Sequence, residues 1–270
     1  MFVVVMMGLL RSVCLSGPES YREAGALLAM TTFFGFWRHH LILLILLSSS
    51  FIKYSLMITA KNFIFNPFRV NTYLLFDETK ECIIIDPACM EEYEEKHLSE
   101  FIETQKLRPV RLFNTHAHID HIAGNKFVAE KYKIGLDVHK KSLSFIRSAK
   151  EHASAFGFDD LETIEPSAFI DDGDTIKFGH SELKVLYTPG HADGSISFYA
   201  EKEKFVIVGD VLFNGSIGRT DLPTGNYNIL IEGIKNKLLV LPESTLVYPG
   251  HGSFTTIKHE KYYNPFLTGC

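Results

Sequence analysis

Hydrophobic and polar positions divide this chain near Met57. From there on, short apolar runs alternate with amphipathic stretches. Val70–Phe76 and residues 82–86 read as neighbouring strands joined by the polar turn 77–81. Residues 91–106 form a charged amphipathic stretch and predict a helix. An apolar strand follows at 110–114, then a helix over 121–133, with Gly135 in the strand after it. A further helix is expected over 141–156. Apolar runs at 183–187, 196–199, 205–208 and 245–248 read as strands, with a helix over 226–241 before the last of them. Strand–helix alternation argues an α/β domain. No repeat or internal linker interrupts it, so residues 57–270 read as one domain.

Residues 1–56 lack a coherent pattern. They hold two greasy runs, 1–10 and 41–47, neither reaching the roughly 18 uninterrupted apolar residues of a membrane-spanning helix. Three readings stay open. A signal peptide would use Arg38 to Ser50, unusually far from the start. A membrane anchor would extend the second run through the serines. In the third reading, Met57 is the working start and the upstream segment is not part of the fold. We favour the third, and with it a cytoplasmic protein, because the strand pattern opens directly at Met57. Export or membrane anchoring through residues 1–56 is the alternative.

Composition adds two constraints. With 46% hydrophobic and 22% charged residues, the 270-residue chain has the balance of a globular protein able to bury a core. Net charge is −5, and the upstream segment is basic, which leaves the body at −7. No Lys/Arg stripe runs along it, which argues against a nucleic-acid partner. Cys14, Cys82, Cys89 and Cys270 form no C-x-x-C pair and read as reduced thiols of a cytosolic protein.

The sharpest chemical signal is Thr115-His116-Ala117-His118-Ile119-Asp120-His121, which follows a strand and runs into a helix. His116 and His118 are two apart, so on an extended stretch they point the same way. Asp120 and His121 lie where the chain turns and can face a second point nearby. That spacing suits two adjacent metals better than one. A solvated turn would use Asn, Gly and Ser rather than three histidines. Three more candidates stand just past strand ends: His191 in Thr188-Pro189-Gly190-His191, Asp210 in Val208-Gly209-Asp210, and His251 in Tyr248-Pro249-Gly250-His251. Ligands of open α/β sheets gather beyond strand ends. In each Pro-Gly-His, Pro stiffens the turn and Gly lets the backbone bend. Nitrogen and oxygen donors without cysteine suit zinc, with iron and manganese as alternatives. Two zinc ions are the expected cofactor.

This pattern resembles the metallo-β-lactamase superfamily over residues 57–270, and Ile85-Asp86-Pro87 matches that family's second-strand signature. The stretch from Phe213 through Arg219 to Asp221 is most similar to the glyoxalase II group, the hydroxyacylglutathione hydrolases. The resemblance implies an α/β fold, a four-layer αβ/βα sandwich. It implies that His116, His118 and His191 hold one metal, that Asp120, His121 and His251 hold the other, and that Asp210 bridges them. Asp120 and Asp210 are the catalytic candidates, and Arg219 stands where the family places a basic residue near a glutathione carboxylate. Asp221 and Ser253 replace the tyrosines that assist it. Only nineteen residues follow His251, so the expected likeness is to the short bacterial type.

The implied reaction is cleavage of a small thioester such as S-lactoylglutathione, with water activated between two metals. A persulfide dioxygenase of the same fold would use one iron on His116, His191 and Asp210. Hydrolysis of another ester, a lactam or a phosphodiester is a third reading. A membrane-tethered binding protein with structural metals is a fourth, but structural zinc sites are usually closed and often rich in cysteine. Asp86 is a candidate for orienting a ligand. Phe145, Phe156 and Phe158 could wall the entrance. Gly124 and Gly194 are expected to be turn residues only, and His152 a surface or packing residue.

Overall fold

The computed structural model describes residues 57–269. The expectations for residues 1–56, for Cys14 and for Cys270 lie outside the described residues. Among the described residues no helix is long and apolar enough to cross a membrane.

The first sheet contains β1 (Thr59–Phe65), β2 (Val70–Phe76), β3 (Glu81–Ile85), β4 (Arg108–Phe113), β5 (Leu136–Val138) and β6 (Ala168–Phe169), in that spatial order. The second is built from β7 (Thr175–Phe178), β8 (Ser181–Tyr187), β9 (Ile196–Ala200) and β10 (Phe205–Gly209). After the hairpin β11 (Leu212–Phe213) and β12 (Ser216–Ile217), it is completed by β13 (Leu246–Pro249) and β14 (Thr255–Thr256). Strand–helix alternation does produce parallel neighbours from β3 to β6. Elsewhere the strands are mostly antiparallel hairpin partners, and β10 and β13 are the parallel pair of the second sheet. Both sheets are therefore mixed.

The central strands are near-continuous apolar runs because both of their faces are covered. Side chains alternate across each strand. Thus Tyr73, Leu75, Ile83, Ile85 and Phe113 of the first sheet meet Val185, Phe198 and Ile207 of the second in a shared core. Leu74, Ile84 and Leu112 point the other way, onto helices α1 (Glu92–Thr104), α2 (Ile119–Ile122), α3 (Asn125–Tyr132) and α4 (Leu143–His152). On the far side, Val206, Val208 and Val247 pack on α5 (Tyr227–Gly233), the π-helical turn Ile234–Leu238 and α6 (Ile257–Tyr263). Helix, sheet, sheet and helix make the four layers of the metallo-β-lactamase fold.

Several boundaries differ from the sequence reading for local reasons. The helix expected over 121–133 is two helices. The Gly124 amide donates to Pro87 O at 2.7 Å, and a Cβ at Gly124 would collide with Cys89 and Pro87. Gly124 is thus a close-packing position, not merely a turn. So is Gly194, whose missing Cβ leaves room for Ser142. Gly135 precedes β5 rather than lying in it. The helix expected over 226–241 loses α-helical geometry after Gly233. Short strands such as β6, β11, β12 and β14 carry too few residues to show a period.

The C-terminal helices α6 and α7 (Pro265–Thr268) hold the β11–β12 hairpin through a buried carboxylate. Glu260 is fully buried and accepts from the Gly215 amide, Thr255 Oγ1 and Asn264 Nδ2. Glu260→Ala strands these donors without water. The expected cost is about 3 kcal/mol, or roughly a 10 °C fall in Tm, read by thermal denaturation of the purified protein.

Candidate metal centre

Five strands end at one edge of the sandwich and deliver the chemistry. β3 leads into Asp86, β4 into Thr115 and His116, β8 into His191, β10 into Asp210 and β13 into His251. Glycines permit the crowding. Gly190 takes a φ of 123°, and a Cβ there would strike the backbone of Leu230. Gly209 takes a φ of 53° against the Thr115 side chain. Gly250 has no left-handed backbone. A Cβ there would collide with Asp210 Oδ1 and His121 Cε1, so it is close approach rather than bending that requires glycine.

The structure brings all seven sequence-derived candidates together. Their donor atoms form overlapping sets within 4.8 Å of one another: His116, His118 and His191; His116, His121 and Asp210; and Asp120, His121 and His251. His118 Nδ1 lies 2.9 Å from His191 Nε2, and His121 Nε2 lies 3.3 Å from His251 Nε2. Asp210 stands between the two groups. Its Oδ1 is 3.4 Å from His121 Nε2, and its Oδ2 is 3.4 Å from His251 Nε2 and 3.7 Å from His191 Nε2. Asp120 Oδ2 is 3.3 Å from His251 Nε2.

The outer ring nitrogens decide which lone pairs face inward. Carbonyl oxygens only accept, so His191 Nδ1 donates to Arg219 O at 2.8 Å and His251 Nδ1 donates to Phe68 O at 2.9 Å. His121 Nδ1 donates to the buried Asp86 Oδ2 at 3.0 Å. Asp86 in turn accepts from the Thr115 amide at 2.7 Å and from Thr115 Oγ1 at 2.6 Å. With that hydroxyl committed as donor, His116 Nδ1 donates to it at 3.1 Å. Four Nε2 lone pairs are therefore turned toward the centre.

The comparisons with known proteins agree with this geometry. Residues 65–251 match the family described as the Metallo-beta-lactamase superfamily. The chain belongs to the metallo-β-lactamase superfamily. Among its relatives, "Probable metallo-hydrolase YqgX" of Bacillus subtilis is 38% identical over 75% of this chain and 94% of that protein. "Hydroxyacylglutathione hydrolase GloC" of Haemophilus influenzae is 36% identical over 74% of this chain and 93% of that protein. Of solved structures, the BLEG-1 B3 metallo-beta-lactamase shares 36% identity, covers 78% of this chain and all of its own, and superposes with a TM-score of 0.72. TTHA1623 in a di-iron-bound form shares 34% identity, covers 77% of this chain and all of its own, with a TM-score of 0.69.

Members of the superfamily bind divalent metals, and the site's own atoms fit such ions. His116 Nε2 and Asp210 Oδ1 are buried without a hydrogen-bond partner. Ligands bound at 2.0–2.2 Å in a tetrahedron stand about 3.4 Å apart, and the separations above cluster around that value. Burial, aided by the neighbouring histidines, lowers the proton affinity of His116 and pushes His118 down to about 4, leaving neutral, ligand-ready rings. Burial opposes charge on His121 and His251 as well, but the carboxylates win. Asp210, Asp120 and Asp86 raise His121, and Asp120 and Asp210 raise His251 to about 9. The cluster's carboxylates thus attract positive charge, and a cation entering there displaces protons.

The superfamily site opens into a cavity of about 500 Å³. Phe145 and Phe158 from the sequence reading line it, and Phe145 meets His118 edge-on with centroids 5.5 Å apart. His152, read as a surface or packing residue, is exposed yet also lines it. Arg219 lines the cavity too, with Nε and Nη2 on Asp221 at 2.7 and 2.5 Å. The turn after β1 was missed. Phe68 lines the cavity and stacks on Phe158, while Asn66 donates to Asp120 O at 2.9 Å and steadies the ligand loop. Its only sequence signal is the cluster Asn66-Pro67, a turn signature without chemistry.

Proposed function

We propose that the chain is a two-metal thioester hydrolase of the glyoxalase II kind, working in the cytoplasm on a small-molecule thioester, with S-lactoylglutathione as the reference substrate. The observation that carries this reading is the convergence of seven donor residues into neighbouring groups, with Asp210 near His121, His191 and His251. His116, His118 and His191 would hold one ion, Asp120, His121 and His251 the other, and Asp210 both. Zinc suits these donors, with iron or manganese as alternatives. When bound, the ions supply Lewis acidity and lower the pKa of water at the site.

The chain's own residues do the rest. Asp210 and Asp120 would provide negative charge to offset two cations. Asp86, Thr115 and the carbonyls of Phe68 and Arg219 fix the imidazole rings. The cavity's phenylalanines exclude bulk water around the scissile bond. Hydrolysis adds a water oxygen to the acyl carbon and breaks the C–S bond, releasing a carboxylic acid and a thiol. No serine or cysteine nucleophile is needed. The single-iron dioxygenase alternative would leave Asp120, His121 and His251 without a task.

The test is a hydrolysis panel on metal-loaded protein. Thioesters should be cleaved and chelation should stop cleavage. The likeness to a B3 metallo-beta-lactamase makes a β-lactam the comparison substrate, and turnover of the lactam alone would replace this reading. Arg219 and Asp221 are exposed and together carry no net charge. Arg219→Ala is therefore expected to change KM for a glutathione thioester by less than about threefold. A larger rise in KM would give Arg219 a direct carboxylate contact.

A further inference from the structure

The cavity lining combines two kinds of chemistry. Part of it is formed by ligand residues such as His118, Asp120, Asp210 and His251. The rest is largely carbon: Phe68, Phe145, Phe156, Phe158, Ile119 and Leu222. Outside the seven donor residues, the polar side chains on its lining are Ser148, His152 and Arg219. Ser148 Oγ donates to Ser144 O of its own helix at 3.0 Å. Arg219 is matched by Asp221. His152 stands exposed on the last turn of α4.

Two of the phenylalanines are placed against the usual rule of burial. Phe156 is 53% exposed and Phe68 is 43% exposed, yet both face the cavity. Phe68 is not free to withdraw, because its carbonyl accepts from the ligand His251 and its ring stacks on Phe158 at 5.6 Å. An apolar group in this space would cover those rings. A hydroxylated or carboxylated group laid against those rings would surrender water and gain no hydrogen bond from them.

We infer that the site selects thioesters with an apolar acyl group, aliphatic or aromatic, and that Phe68, Phe145 and Phe156 set this specificity. The inference rests on the thioester-hydrolase reading above. The carbonyl lies at the Asp210 end, and the acyl chain runs along the phenylalanine wall. A short hydroxyacyl group leaves that wall uncovered. Each methylene placed on it should raise kcat/KM by about fourfold until the wall is filled.

The experiment uses metal-loaded full-length protein and thioesters of N-acetylcysteamine, a small uncharged thiol. The acyl groups run from acetyl through butanoyl and hexanoyl to octanoyl, with benzoyl and S-lactoylglutathione alongside. The expected result is a steep rise along the series, with S-lactoylglutathione below hexanoyl. Phe156→Ala and Phe145→Ala should each reduce the octanoyl-to-acetyl ratio about tenfold. Calorimetry with the uncleavable S-octyl and S-ethyl thioethers gives a readout independent of turnover, and S-octyl should bind more tightly. A flat series, or equal binding of the two thioethers, overturns the apolar specificity. Tight S-octyl binding without cleavage of any thioester sinks the hydrolase reading and leaves the apolar pocket standing.

Discussion

Asp210→Ala is expected to lower kcat/KM by about 10³-fold or more and to reduce bound metal, with the fold intact. Asp210 is 12% exposed at its side chain, its Oδ1 is buried with no hydrogen-bond partner, and its two oxygens face His121, His191 and His251. It packs no core and closes no strand, so its removal leaves the sheets unchanged. What disappears is the carboxylate that lies between His191 on one side and His121 and His251 on the other. Without it, His121 and His251 face each other at 3.3 Å with less negative charge to offset a cation. Asp210→Asn separates charge from shape: it keeps the volume and should lose nearly as much activity. Kinetics, elemental analysis and circular dichroism on the same samples check the three parts. Full metal content with normal turnover in Asp210→Ala would remove Asp210 from the site.

Asp86→Ala is the second large effect, and it should divide differently. Asp86 contacts none of the cavity, yet it accepts from His121 Nδ1, the Thr115 amide and Thr115 Oγ1. Its loss frees the His121 ring to rotate and unsettles the hydroxyl that holds His116. Metal affinity should fall about 10- to 100-fold. The stranded Thr115 amide should cost about 1–3 kcal/mol of stability as well. Asp86 has a φ of 51°, a left-handed conformation that Asn also tolerates. Asp86→Asn therefore preserves the backbone and isolates the lost charge. The affinity loss should remain while most of the stability returns. Competition of each variant against a calibrated chelator measures the first, and urea denaturation the second.

The difference between these residues marks what a sequence can disclose. His116, His118, Asp120 and His121 are legible because the chemistry is compressed into one strand-to-helix turn. His191, Asp210 and His251 are legible because each follows an apolar strand, two of them behind the same Pro-Gly stiffening. Their meeting in space follows once the strands lie in parallel or hairpin order with their ends on one edge. Asp86 was visible as a carboxylate at the end of a strand, but its partner His121 is 35 residues away. Phe68 and Asn66 were missed because a turn residue's contacts across the cavity leave no local period. Gly124, Gly194 and Gly250 owe their identity to neighbours that only the folded chain brings close. The strand pattern itself was readable wherever both faces are buried. The mixed order of the sheets was not, since the parallel pair β10 and β13 is closed by a long excursion through β11, β12 and α5.

The proposed hydrolase has one centre of seven side chains that works with two metal ions. The most direct measurement is titration of metal-stripped protein with zinc, and separately with ferrous and manganous ions, while thioester hydrolysis and bound metal are followed together. Activity and binding are expected to rise together and break at about two ions per chain. Full activity at one equivalent, or hydrolysis that persists without metal, would contradict it.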